Sequence, residues 1–94
     1  SLELGLLMGR TLALYRLGHR EAAERSLKEV VAHNRHTLDM ICAENPRPVM
    51  PHADGQVDPG SRAEAWQYRT LMRDQWRTTQ GALDWLDAHR PASR

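Results

Sequence analysis

Leu4, Leu7, Met8, Thr11, Leu14 and Tyr15 recur at three- and four-residue spacing and mark residues 2–17 as a first helix. Leu2, Leu6, Ala13 and Leu17 make a second apolar face on the same segment. A helix apolar on two sides is expected to lie between neighbours. Gly18 follows, as glycine does just past a helix end. The Gly18–His19 break leaves room only for an antiparallel hairpin into a second helix, residues 20–34. Its inner stripe is Ala23, Leu27, Val30, Val31 and Asn34. On its outer face Glu21 with Arg25, and Glu24 with Lys28, stand at i,i+4, each pair adding ~0.3 kcal/mol.

Residues 36–43 predict a short third helix with Leu38, Ile41 and Cys42 inward. Residues 44–60 then lose all periodicity and carry Pro46, Pro48, Pro51, Gly55, Pro59 and Gly60. This is a long loop for so short a chain, and it is expected to be ordered and anchored by Val49 or Met50. Ser61 and Glu64 form a capping-box pattern in which hydroxyl and carboxylate satisfy helix-start amides reciprocally. The helix it opens spans 62–77, with Ala65, Tyr68, Met72 and Trp76 on one face. Thr78 or Thr79 offers a new cap, residues 80–89 bring Ala82, Leu83, Trp85 and Leu86 for packing, and Pro91 ends the run. No strand-period segment of useful length appears. The expectation is one all-α domain: a hairpin over 1–34, a short helix and loop over 35–60, and two C-terminal helices over 61–90.

A length of 94 residues suits one such domain and gives it a small core. Phenylalanine is absent, so the bulky core candidates are Trp66, Trp76, Trp85, Tyr15, Tyr68 and the leucines. Thirteen basic and twelve acidic residues leave a formal charge of +1, which argues against steering toward nucleic acid or an anionic membrane. The apolar stretches are too short to span a bilayer. Cys42 is the one cysteine, which excludes an internal disulfide and fits a reducing compartment. No leader pattern opens the chain, so a cytoplasmic location is expected, and Ser1 in place of Met reads as a trimmed chain.

Candidate chemistry is thin. His33, His36, Cys42, His52, Asp54 and Asp58 include no paired short-spacing ligand motif of the kind zinc uses, so no metal and no cofactor is expected. Cys42 lies on the apolar side of its short helix, where a thiol packs instead of attacking. The carboxylates are spread over helix exteriors and not gathered for acid–base work. These readings point away from an enzyme. Arg62, Arg69, Arg73 and Arg77 recur along one side of the 62–77 helix near Trp66, a pattern able to hold phosphates or another anionic ligand. A solvated arginine face balanced by Asp74 accounts for the same residues.

The segment LYRLGHREAAERSLKEVV resembles a tetratricopeptide repeat, with Thr11, Gly18, Ala23, Leu27 and Val30 at the small, glycine, alanine and bulky positions of that repeat. It departs at Arg10, where a buried leucine is usual, and at Arg35, where a proline is usual. NRHTLDMICAE, GSRAEAWQY, QW and GALDWL are similar to the tail of suppression-of-tumorigenicity family proteins and their bacterial tetratricopeptide relatives. Asn34, His36, Gly60, Glu64, Ala65, Tyr68, Trp76, Gly81, Ala82 and Leu83 carry that likeness, which spans residues 10–86; Arg35 and Leu38 depart from it.

The resemblance implies a helical scaffold and no catalytic residues. It also implies that the first helix lines a peptide groove, putting Gly5, Met8, Leu12, Tyr15 and Arg16 at groove spacing. The expected function is a non-catalytic protein-interaction or assembly module, in which the apolar side chains of Met8, Leu12 and Tyr15 are covered by the C-terminal helices, by a neighbouring repeat or by a second copy. Arg16 is expected at that site, and Leu2 and Leu6 at a homodimer contact.

Overall fold

The computed structural model describes residues 2–91. Among them are five helices and no strand: α1 Leu2–Arg16, α2 Arg20–His33, α3 Thr37–Cys42, α4 Arg62–Arg77 and α5 Ala82–Ala88. None is long and apolar enough to cross a membrane.

α1 and α2 form a hairpin through a three-residue turn. Gly18 sits at φ 82°, a left-handed conformation that glycine adopts without a Cβ penalty. Ala23 is fully buried where the two helices meet, backed by buried Leu27 and Val30. Thr11 and Ser26 share a buried 2.6 Å hydrogen bond across the hairpin, and the Thr11 hydroxyl also reaches the Leu7 carbonyl at 2.8 Å. The turn is latched by Arg20, which donates to the Tyr15 carbonyl at 2.6 Å and stacks 3.7 Å above the Tyr15 ring.

α4 and α5 close the hairpin. Leu4, Met8, Leu12 and Tyr15 enter one core with Leu38, Ile41, Tyr68, Trp76, Ala82 and Leu86. Trp76 is fully buried, and its indole N–H donates to the Tyr68 hydroxyl at 2.8 Å, so the largest side chain is buried with its polar atom satisfied. Burial pushes the Tyr68 phenol up to about 12. Of the three occupants considered for the Met8–Leu12–Tyr15 face, the C-terminal helices are the one present: Tyr15 meets the Trp85 ring at 5.1 Å and donates to the Gln80 carbonyl at 3.1 Å.

Several local expectations change. Asn34 does not extend the α2 stripe; it caps the helix end. Ser61 accepts from the Glu64 amide at 3.1 Å as the capping pattern predicts, but the Glu64 carboxylate turns inward and takes the Gly60 N–H at 2.8 Å. Neither Thr78 nor Thr79 caps α5. Thr78 closes α4, both hydroxyls return to carbonyls of that helix, and α5 starts from Gly81 at φ 77°. Glu24 approaches His89 at 3.5 Å, so the α2 outer face is tied to the end of α5. In the 44–60 loop Val49 is half-buried beside Val57 and Trp66 while Met50 is exposed, so Val49 is the anchor. His52 and Asp58 pair at 3.0 Å within the same loop.

Candidate interaction surface

α1 turns about 100° per residue, which sorts its side chains into opposite arcs. Leu4, Met8, Thr11, Leu12 and Tyr15 fill the buried arc. Gly5, Gly9, Leu2, Ala13 and Leu6, with Leu17 in the turn that follows, fill an outward arc and are all exposed. Leu2 is 86%, Leu6 71% and Leu17 69% exposed. Two arginines meet this arc, Arg10 at its border and Arg16 between Gly5 and Gly9, and both are drawn aside. Arg10 pairs with Glu29 at 2.9 Å on the α2 side. Arg16 donates to Thr79 Oγ1 at 3.0 Å and to the Gln75 carbonyl at 3.2 Å on the α4 side. The part of the outward face from Leu2 through Ala13 and Leu6 to Leu17 is therefore apolar, with the neighbouring arginines held aside.

The strip continues into an open groove of about 430 Å³ between α1 and α4, lined by Leu2, Gly5, Leu6, Tyr68, Leu71 and Met72 among others. Leu71 is 73% exposed and extends the apolar area onto α4.

The expected site residues thus divide. Leu2 and Leu6 lie at the surface, as the second apolar face of the sequence suggests. Met8, Leu12 and Tyr15 do not: α4 and α5 bury them, so they are core residues and not partner contacts. Arg16 is exposed and engaged with α4.

The arginine stripe is likewise corrected. Arg69 donates to the carbonyls of Met40 at 2.9 Å, Ala43 at 2.8 Å and Glu44 at 3.1 Å. Arg73 donates to the Ile41 carbonyl at 2.9 Å. Both serve as side-chain caps for the C-terminal carbonyls of α3, which have no helical partners of their own. Burial, then the neighbouring Arg73 charge, lowers the pKa of Arg69. Arg77 pairs with Asp74 at 3.1 Å. Arg62 is exposed, and Trp66 is half-buried with Arg69 5.8 Å from its ring. Arg69 and Arg73 line one open pocket of about 350 Å³ together with Trp66 and Asp74, while Arg62 and Arg77 lie outside it.

One polar cluster was not foreseen. Glu64 is buried, and its Oε1 accepts from the Asn34 amide at 2.8 Å and from the Gly60 N–H at 2.8 Å. Its Oε2 meets His33 Nε2 at 3.0 Å, and His33 Nδ1 lies 3.9 Å from Glu3. Asn34 also donates to the Ser61 carbonyl at 2.9 Å and accepts from the His36 N–H at 2.9 Å. This set joins the end of α2 to the start of α4. Glu64 also borders the α1–α4 groove, with only 1% of its surface exposed. The available signal was the co-occurrence of Asn34, Gly60 and Glu64 among the residues carrying the family likeness.

Cys42 is half-buried, and burial pushes its thiol up to about 11, away from the reactive thiolate. Among the described residues no group of three or more His, Cys, Asp or Glu is placed to hold a metal ion. The chain matches no protein-family model, no curated protein and no solved structure.

Proposed function

We propose that this chain is a non-catalytic protein–protein interaction or assembly module, built on a tetratricopeptide-type hairpin and docking another helical surface along α1. The observation that carries this reading is the outward arc of α1, where Leu2, Leu6 and Leu17 are exposed with no charged side chain between them. Helices on a solvated surface carry polar residues there, and an apolar arc is the mark of a helix that acquires a neighbour. The hairpin details support the repeat reading: the left-handed Gly18 turn and the buried Thr11, Ala23, Leu27 and Val30. A capping role at the C-terminal end of a longer repeat array would use the same face, since a single repeat cannot bury both of its sides.

The test is affinity capture from a cell extract with two baits, wild type and Leu6→Glu/Leu71→Glu. Both substitutions lie at exposed positions, so both baits fold. Proteins retained by the first bait and released by the second support the reading. Identical retained sets from both baits overturn it.

A further inference from the structure

Trp66, Arg69, Thr70 and Arg73 stand at helical spacing on one stripe of α4. With Leu71 and Asp74 they line the open pocket of about 350 Å³. Arg69 and Arg73 bring two positive charges to it. Arg10, Arg77 and Arg90 each have a carboxylate partner; among the described residues Arg69 and Arg73 have none. The groups they do bind are backbone carbonyls between Met40 and Glu44, which are neutral and leave the charges unbalanced. Arg69 uses Nε and Nη2 for those bonds, and Arg73 uses Nε. Nη1 of Arg69 and both Nη atoms of Arg73 therefore have no bonded partner among the described residues. The carboxylate on this wall, Asp74, is taken by Arg77 at 3.1 Å.

Trp66 adds a flat apolar surface. It is half-buried, and it also lines a second open pocket of about 260 Å³ with Val49, Pro51 and Val57. The two pockets share Trp66, Thr70 and Leu71. Cationic and apolar surfaces therefore meet at the indole.

We propose that this double pocket binds a small aromatic phosphate monoester, with its phosphate on the free N–H groups of Arg69 and Arg73 and its ring against Trp66. One guanidinium fork matches a carboxylate, whereas the three terminal oxygens of a phosphate can engage two guanidinium groups. A flat ring gains stacking on the indole. A nucleic-acid strand fits less well, because a formal charge of +1 and the placement of Arg62 and Arg77 outside the pocket give no track for successive phosphates. The proposal does not rest on the α1 reading.

The test is an NMR titration of the ¹⁵N-labelled protein, read at the arginine Nε–H and indole N–H signals. With phenyl phosphate, the signals of Arg69, Arg73 and Trp66 are expected to move together and saturate. Inorganic phosphate should move the two arginine signals with about tenfold weaker affinity, since it lacks the ring. Phenol should not bind measurably. Arg73→Gln keeps an amide able to donate to the Ile41 carbonyl and should weaken phenyl phosphate about tenfold or more. Trp66→Leu should bring phenyl phosphate down to the affinity of inorganic phosphate. Denaturant unfolding checks that both variants fold, and the wild-type titration decides the matter without either. Absence of saturation at Arg69 and Arg73 with millimolar phenyl phosphate overturns the proposal, as does equal affinity of wild type and a folded Arg73→Gln. Equal affinity of wild type for phenyl phosphate and inorganic phosphate removes the aromatic ligand and overturns it as stated. A single-stranded oligonucleotide that binds more tightly than phenyl phosphate, with Arg62 and Arg77 contributing, overturns it in favour of nucleic acid.

Discussion

Asn34 donates its side-chain amide to Glu64 Oε1 at 2.8 Å, joining the end of α2 to the first turn of α4 across the 44–60 loop. Both residues are buried. The loop between the two helices is long, so this contact and the Gly60 N–H bond to the same oxygen set where α4 begins.

Removing one partner from a buried, charged hydrogen-bond set leaves the other without compensation. Asn34→Ala is expected to cost about 2–4 kcal/mol. Glu64→Gln keeps an acceptor oxygen and should cost less than Glu64→Ala. Denaturant unfolding of the three variants checks this order. Equal, near-zero effects would mean the cluster does not fasten α2 to α4.

Gly81 and Gly18 both adopt a left-handed backbone, at φ 77° and 82°. They differ in their surroundings. A Cβ on Gly81 would stand 2.8 Å from the Tyr15 hydroxyl, whereas one on Gly18 would meet nothing within 4 Å. Gly18→Ala should therefore cost about 1 kcal/mol, from backbone strain alone. Gly81→Ala should cost about 1–3 kcal/mol more, because Tyr15 is held by Gln80 and cannot withdraw freely. Tyr15→Phe removes the contacting oxygen, and in a double-mutant cycle it should recover much of that excess.

Arg69 satisfies three carbonyls near the end of α3. Arg69→Ala is expected to lose about 2–3 kcal/mol, and Arg69→Lys to recover only part, since an ammonium cannot span the same fork. Arg62→Ala, at an exposed position, should stay within about 0.5 kcal/mol of wild type. An anion-binding stripe would show a different result, with all four arginines lowering oligonucleotide affinity and little change in stability.

The pH dependence has a definite sign. The Cys42 thiol rises from 9.0 to about 11 and the Tyr68 phenol from 10.0 to about 12, each because burial disfavours the charged form. A raised folded-state value means the unfolded chain releases its proton first. These groups favour the fold fully below pH 9, and that contribution is lost as pH climbs through 9–11 for Cys42 and 10–12 for Tyr68. Stability measured by denaturant should fall over pH 9–11, and Cys42→Ser should flatten that decline. Alkylation of Cys42 at pH 8 should be slow in the native protein and fast in denaturant.

What the sequence made legible was local. The α1 stripe, the Gly18 turn, Ala23 at the hairpin contact and the Ser61 cap are all set by residues within a turn or two of one another. Trp76 and Tyr68 on one face of α4 follow from helical spacing alone. The inward turn of Glu64 was not readable, because its partners His33 and Asn34 lie about 30 residues away and the competing capping geometry looks the same in sequence. The arginine stripe was legible only in part for the same reason. Periodicity gives the face that Arg69 and Arg73 occupy, while the carbonyls they bind belong to α3. Met8, Leu12 and Tyr15 stood at groove spacing with three possible occupants, and their place is decided by where α4 and α5 fold back. By contrast the exposed Leu2–Leu6 side was visible from the start, since one covering layer can hide only one side of a two-sided helix.

The central claim is that the outward face of α1 is open in the isolated chain and covered in the cell. Thiol labelling tests it most directly. In a Cys42→Ala background, the Leu6→Cys thiol is labelled with a maleimide in dilute purified protein and again in cell extract, with Glu21→Cys on the exposed side of α2 as the control. The account predicts rapid labelling at position 6 in the isolated chain, strong protection in the extract, and equal labelling at position 21 in both. Equal rates at position 6 in the two settings would contradict it.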